Sequence, residues 1–234
     1  AIRDNLWKCV EHIAALSERT GKALHLGLEP EPLGYFETSA ETISFFEQLR
    51  AEHPNDARLD AHLGVNYDTC HLAVEYEEAA DALGAFRTAG IRISKLHLSA
   101  ALKVTPDADT RARLKSFEED VYLHQVIERQ PDGTLTRHRD LDVALAAETN
   151  ADEWRIHFHI PLHSPDSEWF ASTRDHIDGV LDVMQADPTL CSHLEMETYT
   201  WEVLPAEMKN RTVVEQLINE YDWTLVQLRA RDLA

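Results

Sequence analysis

The sequence is poor in cysteine, in basic side chains and in long apolar runs, and each shortage removes a class of function. Three cysteines in 234 residues, Cys9, Cys70 and Cys191, are an odd and widely spaced set. They offer no disulfide framework of the kind that staples small secreted domains, and they fit a reducing, cytoplasmic compartment. Only 22 lysines and arginines stand against 42 aspartates and glutamates, a formal charge of −20. Such a surface repels phosphate backbones and anionic headgroups, so neither nucleic acid nor a membrane is an expected partner. A bound metal can still reverse the sign of one acidic spot. No stretch approaches the roughly 20 apolar residues that cross a bilayer, and the first residues lack the basic-then-apolar order of a secretory signal. No low-complexity tract, short repeat or Gly/Ser-rich linker divides the chain. With 44% hydrophobic residues, positions 1–234 are expected to bury one core as a single domain.

What the sequence does contain is an alternation. Ile2, Leu6, Val10, Ile13 and Ala14 recur at helical spacing up to Gly21. The apolar run Ala23 to Leu28 then reads as a strand, stopped by Glu29-Pro30-Glu31-Pro32, whose prolines forbid a helix or a central strand from continuing. Thr38 and Glu41 have capping-box spacing and open a helix whose buried face is Ile43, Phe46 and Leu49. The cycle repeats with a strand over Leu63 to Tyr67 and a helix through Ala79, Leu83 and Phe86. A strand over Ile91 to Leu98 follows. Between about Glu119 and Asp140 the regularity breaks: Val121 to Glu128 and Leu135 to Arg139 flank the turn signal Pro131-Asp132-Gly133, an inserted hairpin over about 120–140. The alternation resumes with a strand over Trp154 to Ile160, a helix from about Ser167 to Met184, a strand over Ser192 to Thr198, and a final helix whose apolar face includes Val214, Leu217 and Ile218. Apolar strands alternating with amphipathic helices predict a parallel sheet covered by helices, an α/β protein. Five such units are legible, where a closed (β/α)8 barrel needs eight and about 250 residues. The expectation is therefore an incomplete C-terminal portion of a TIM-type barrel. The start at Ala1, without an initiator methionine, fits a fragment whose first three units precede it.

The chemical pattern is positional. Glu29, Asp68, His97 and Glu197 each fall at the C-terminal end of a different strand, and in a barrel those ends converge on one face. A single strand-end glutamate is usually a cap or a solvated loop residue; recurrence at the same end of four strands singles the set out. Oxygen and imidazole donors of this kind suit Mg²⁺, Mn²⁺, Zn²⁺ or Fe²⁺, so a divalent ion is expected without its identity being fixed. His71 lies three residues after Asp68, His157 and His159 share one face of their strand, and Glu195 shares a face with Glu197. These four are candidates for orienting substrate or ligands. Cys70 reads as a small buried hydrophobe, and His124 and His138 as hairpin residues without metal contact.

The strings Asp68-Thr69-Cys70-His71, Lys95-Leu96-His97-Leu98 and Leu194-Glu195-Met196-Glu197-Thr198 resemble strand-end motifs of the xylose isomerase-like TIM barrels, the superfamily of sugar isomerases, sugar epimerases and endonuclease IV. Glu29 in Leu26-Gly27-Leu28-Glu29-Pro30 takes the place of the glutamate ligand on an earlier strand. The resemblance implies one Mn²⁺ or similar ion held by Glu29, Asp68, His97 and Glu197, with Glu29 and Glu197 as catalytic proton carriers. A closer similarity, covering nearly the whole chain, is to the EboE family of bacterial metabolite traffic proteins. It rests on His25-Leu26-Gly27-Leu28-Glu29-Pro30-Glu31-Pro32, Asn66-Tyr67-Asp68-Thr69-Cys70-His71, His157-Phe158-His159-Ile160-Pro161-Leu162 and Glu197-Thr198-Tyr199-Thr200-Trp201. It implies a small-molecule metabolite as ligand and association with other proteins of the same gene cluster. Two functions follow as expectations: a metal-dependent isomerase or epimerase of a small sugar-like metabolite, or a non-catalytic handover protein using the same pocket. An endonuclease IV-like phosphodiesterase is disfavoured by the charge and by the missing Asp-x-His metal pair, where Arg137-His138-Arg139 offers only the histidine.

Overall fold

The computed structural model describes residues 1–197 and 212–234. In chain order the elements are α1 (Ile2–Thr20), β1 (Leu26–Leu28), α2 (Ser39–Glu52), α3 (Arg58–His62), β2 (Leu63–Asp68), α4 (Thr69–Val74), α5 (Ala79–Thr88), β3 (Ile93–Leu98), β4 (Ala101–Val104), α6 (Ala108–Leu114), β5 (Val126–Arg129), β6 (Leu135–His138), α7 (Leu141–Ala146), β7 (Glu153–His159), β8 (Ala171–Ser172), α8 (Arg174–Ala186), β9 (Leu194–Met196) and α9 (Val213–Arg229). The strands form two sheets. The first is parallel, in the order β1-β2-β3-β9. The second is antiparallel, in the order β6-β5-β7-β4-β8. Among the described residues neither sheet closes on itself, so the architecture is mixed α/β.

Local chemistry accounts for most boundaries. Gly21 ends α1 in the left-handed conformation that glycine adopts without penalty. The Thr38 and Glu41 capping box at the start of α2 is complete, each side chain bonded to the other residue's backbone amide. Strand β2 is buried along its whole length between β1 and β3. A Cβ at Gly64 would collide with the side chains of Arg92 and Ser94, so only glycine fits there. Val65 and Tyr67 point into the core shared with α1, α2, α5 and α8, and alternation sends Asn66 and Asp68 to the opposite face. Helix α4 is buried at every residue and packs against both sheets.

Four sequence expectations are corrected. The strand over Trp154 to Ile160 exists as β7, but it runs antiparallel to β4 and β5 in the second sheet and is not a further parallel strand. Its neighbour β4 went unread because Ala101–Val104 is only four residues long, with Lys103 inside it, too short for periodicity to classify. The hairpin over 120–140 pairs Val126–Arg129 with Leu135–His138, and it extends that same sheet instead of standing as an isolated insertion; Val121 to Gln125 form no strand. The helix expected from Ser167 starts at Arg174, because Ala171 and Ser172 pair with β4. Finally, Val214 and Ile218 on α9 are exposed, while Gln216, Glu220 and Thr224 face inward. Thr198, the expected end of the last strand, and the rest of the string to Trp201 lie outside the described residues. Among the described residues no helix is long and apolar enough to cross a membrane.

Candidate metal centre

Register in the parallel sheet brings the strand ends into line. Asp68 is the last residue of β2 and pairs with His97 on β3, which pairs with Glu195 on β9. A register shift between Val65 and Asn66, which leaves Ser94 of β3 as an extra residue, sets the Asp68 and His97 pairing, a usual device for re-aiming side chains at a site. Glu29 follows β1 directly and Glu197 follows β9 directly. The four side chains meet: one donor atom from each of Glu29, Asp68, His97 and Glu197 lies within 4.8 Å of the other three. His97 Nδ1 stands 3.0 Å from Glu29 Oε1, 3.5 Å from Asp68 Oδ2 and 3.6 Å from Glu197 Oε2. Donors about 2.1 Å from a shared ion stand about 3.0 Å apart at adjacent octahedral positions and about 3.4 Å apart at tetrahedral ones. The observed spacings are close enough for the four groups to hold one ion.

Two of the donors, Asp68 and Glu29, are held by further hydrogen bonds. Asp68 is fully buried, and its Oδ1 accepts from the Cys70 amide at 2.7 Å, the His71 amide at 3.0 Å and the Ser99 hydroxyl at 2.6 Å. That oxygen is saturated, and Oδ2 is left to face the cluster. Glu29 Oε2 accepts from Asn66 Nδ2 at 2.7 Å, which turns Oε1 inward. On the far side of His97, Nε2 lies 3.7 Å from Glu195 Oε2, itself bonded to Lys95 Nζ at 2.9 Å. Glu195 is therefore placed to orient the imidazole from behind, as carboxylates do for metal-ligating histidines.

The electrostatics of the cluster favour a cation. Burial, then repulsion from Asp68, pushes the Glu197 carboxyl up to about 9. Burial alone would lower the His97 imidazolium, yet contacts to Asp68 and Glu29 push it up to about 10. Burial also penalises the Asp68 carboxylate, but His71 and His97 beside it, with the Ser99 hydroxyl, hold it well below the ordinary range. Three carboxylates packed this closely cannot all ionise unless positive charge sits among them.

A second group adjoins the first. On β7, Trp154, Ile156 and Phe158 enter the core of the antiparallel sheet, so His157 and His159 point the other way, toward His71 on α4. The three rings cluster, with centroids 4.8 Å apart for His71 and His157, 5.6 Å for His71 and His159 and 5.4 Å for His157 and His159. His71 Nδ1 lies 2.9 Å from the Pro30 carbonyl, which can only accept, so Nδ1 carries the hydrogen. Burial drives the His159 imidazolium down to about 4 and that of His157 well below its usual value. His159 Nδ1 stands 3.6 Å from Glu197 Oε2, which connects the two groups. The donor sets Asp68, His71, His159 and Glu197, then Cys70, His157 and His159, and then Glu31, His71 and His157 are each compact enough to hold an ion.

The structure thus gathers every residue singled out from the sequence, Glu195 at the periphery. Cys70 is buried, as expected for a small hydrophobe, and also borders the histidine group. His124 bonds the His157 carbonyl at 2.9 Å and faces Glu119 at 3.3 Å, while His138 faces Glu128 at 3.5 Å. Sequence reasoning missed Asn66, Ser99 and Glu31. Asn66 had a legible signal, a polar residue two positions before Asp68 on an otherwise apolar strand; Ser99, beyond a strand end, had none. Comparisons with protein-family models, with curated proteins and with solved structures find no match for this chain.

Proposed function

We propose that the chain is a divalent-metal-dependent protein of the isomerase and epimerase kind that acts on a small sugar-like metabolite. Its sheet of strand ends would be part of a xylose isomerase-like TIM barrel of the EboE metabolite traffic type. The observation that carries the reading is the convergence of Glu29, Asp68, His97 and Glu197 within 4.8 Å from four strands. These four would hold the ion, which when bound acts as a Lewis acid on a carbonyl and an adjacent hydroxyl. Glu197 and Glu29 are the proton carriers: one removes the proton from the hydroxyl-bearing carbon beside the carbonyl, and the same or the opposite carboxyl returns a proton either to the other face of that carbon or to the former carbonyl carbon, the hydroxyl proton in the latter case passing to the former carbonyl oxygen. No electrons leave the substrate, so no redox partner is required. His159, neutral and 3.6 Å from Glu197, can relay that proton. His71 and His157 orient substrate oxygens, and Glu195 positions His97.

A handover protein using the same pocket is the rival. The two separate on one measurement, exchange of substrate C–H hydrogen with deuterated solvent, tested on a panel of ketoses and aldoses with the metal-loaded protein. A catalyst exchanges and loses exchange in Glu197→Gln while keeping its fold; binding without exchange supports the carrier. Exchange that persists unchanged in Glu197→Gln removes the assigned role.

A further inference from the structure

The metal centre opens into a cavity of about 460 Å³ lined by Glu31, Pro32, Leu33, Val121, Tyr122, Leu123, His157 and Glu197. Its volume is in the range of small-ligand sites. Its floor is polar, His157 and Glu197, and its lip is apolar. Leu33 is 42% exposed, Val121 72% and Leu123 45%, an uncommon grouping of large apolar side chains beside a charged cluster.

The lip is a built feature. Glu37 braces it from both sides: its Oε1 accepts from the Leu33 amide at 2.6 Å and from Gln125 Nε2 at 3.2 Å, joining the loop after β1 to the segment before β5. Glu119 cinches the other half, accepting from the Val121 and Tyr122 amides at 2.6 Å each. His124 then ties the segment to the His157 carbonyl. Leu33 itself sits at φ 64°, a left-handed conformation that a leucine keeps only where its surroundings hold it.

Among the described residues the lining contains no lysine or arginine, while Lys95 pairs with Glu195 and Arg137 pairs with Glu75. Beyond the lip lies a cleft walled by Glu118, Glu119, Asp120, Asp140 and Asp142. Three carboxylates around one divalent ion already leave the centre net negative. Among the described lining residues no guanidinium or ammonium stands ready to receive a phosphate group, and such groups are the usual phosphate partners.

We infer that the site selects an uncharged amphipathic metabolite, one whose hydroxy-carbonyl head reaches the metal centre while an aromatic or branched apolar substituent rests on Leu33, Val121 and Leu123, and that it rejects sugar phosphates. The inference rests on the metal-centre reading above and narrows its substrate class.

The test uses the whole chain loaded with Co²⁺, whose visible spectrum reports occupancy of the metal centre and displacement of solvent by ligand. Hydroxyacetone and 2-hydroxyacetophenone share the chelating head and differ only in methyl against phenyl; dihydroxyacetone phosphate adds the charge. The aromatic ketone is expected to bind about tenfold tighter than hydroxyacetone, and the phosphate ester no tighter than hydroxyacetone. In the double variant Val121→Ser with Leu123→Ser the aromatic preference is expected to vanish while hydroxyacetone affinity and the cobalt spectrum stay as they were. Equal binding of the two ketones, tighter binding of the phosphate ester, or a preference that survives the double variant overturns the inference with the metal centre intact. A chain that takes up no cobalt overturns the metal centre itself, and the inference with it.

Discussion

Asn66 Nδ2 donates to Glu29 Oε2 at 2.7 Å, so a neutral amide on an inner strand sets the direction in which a carboxylate just past the end of β1 presents its other oxygen. Glu29 sits in a loop bounded by prolines, and nothing in its own segment fixes that rotamer. Replacing Asn66 by leucine keeps the volume and removes the donor. Metal affinity is expected to fall 10- to 100-fold, about the cost of losing a ligand's outer partner, with Tm nearly unchanged. Calorimetric titration of both proteins with Zn²⁺ or Co²⁺ decides it; unaltered affinity would show that Glu29 needs no such guide.

Asp68 combines two duties that substitution can separate. Its Oδ1 caps the start of α4 and takes the Ser99 hydroxyl, while Oδ2 faces the cluster. Asp68→Asn keeps an acceptor at Oδ1 and puts an NH₂ where the ligand oxygen was. Metal binding is expected to disappear with stability within about 1 kcal/mol of the parent. Asp68→Ala also strips three buried hydrogen bonds, and is expected to cost about 2–4 kcal/mol in urea denaturation. Metal retention by the asparagine variant would contradict the assignment of Oδ2.

Metal uptake is expected to release protons. With His97 at about 10 and Glu197 at about 9, both carry a proton at pH 7 in the metal-free protein. A cation needs the lone pairs those protons occupy, so its apparent association constant should rise by about one to two decades per pH unit between pH 6 and 8. The same shifts govern the metal-free fold. Both folded-state values lie above the ordinary ones, so their stabilising contribution is present at low pH and is lost as pH rises through about 9 to 10. The metal-induced rise in Tm should therefore grow with pH. Affinity independent of pH, or no proton release in weak buffer, would be incompatible with this account.

Glu220 offers a prediction far from the centre. It is buried on α9, its Oε1 accepts from the Leu162 amide at 3.1 Å, and burial pushes its carboxyl up to about 7. A carboxyl raised in the folded state is most favourable below its unfolded value near 4.5 and loses that advantage as pH rises through about 7. Glu220→Gln should match the parent at pH 5 and exceed it at pH 8 by up to about 3 kcal/mol. Denaturation at the two pH values gives the answer, and equal stability at pH 8 would mean the ionised form is better solvated than its burial indicates.

The parallel sheet was legible because its strands are marked locally. Apolar runs end at Glu29-Pro30, at Asp68 and at His97, and helices begin at a capping box and stop at glycine. The antiparallel sheet was hidden for an equally physical reason. Strand β4 is four residues long, and the alternation along β7 marks a strand without naming its neighbours; strand direction is set by partners distant in sequence. Helix α9 misled in a different way: its apolar positions Val214 and Ile218 lie outward while Glu220 bonds the Leu162 backbone, so hydrophobicity alone chose the wrong face.

By itself, then, the sequence determined the residue types at four strand ends, because carboxylate and imidazole chemistry is written in the side chains and strand ends are punctuated by proline and by helix starts. Only the tertiary structure decided that these groups meet. A register shift that leaves Ser94 of β3 as an extra residue opposite β2, the pairing of Asp68 with His97, and the braces from Asn66 and Ser99 bring four separate positions into one cluster. The antiparallel β7 then turns His157 and His159 toward it. Convergence is a property of register and packing between distant segments, and those exist only once the chain has folded.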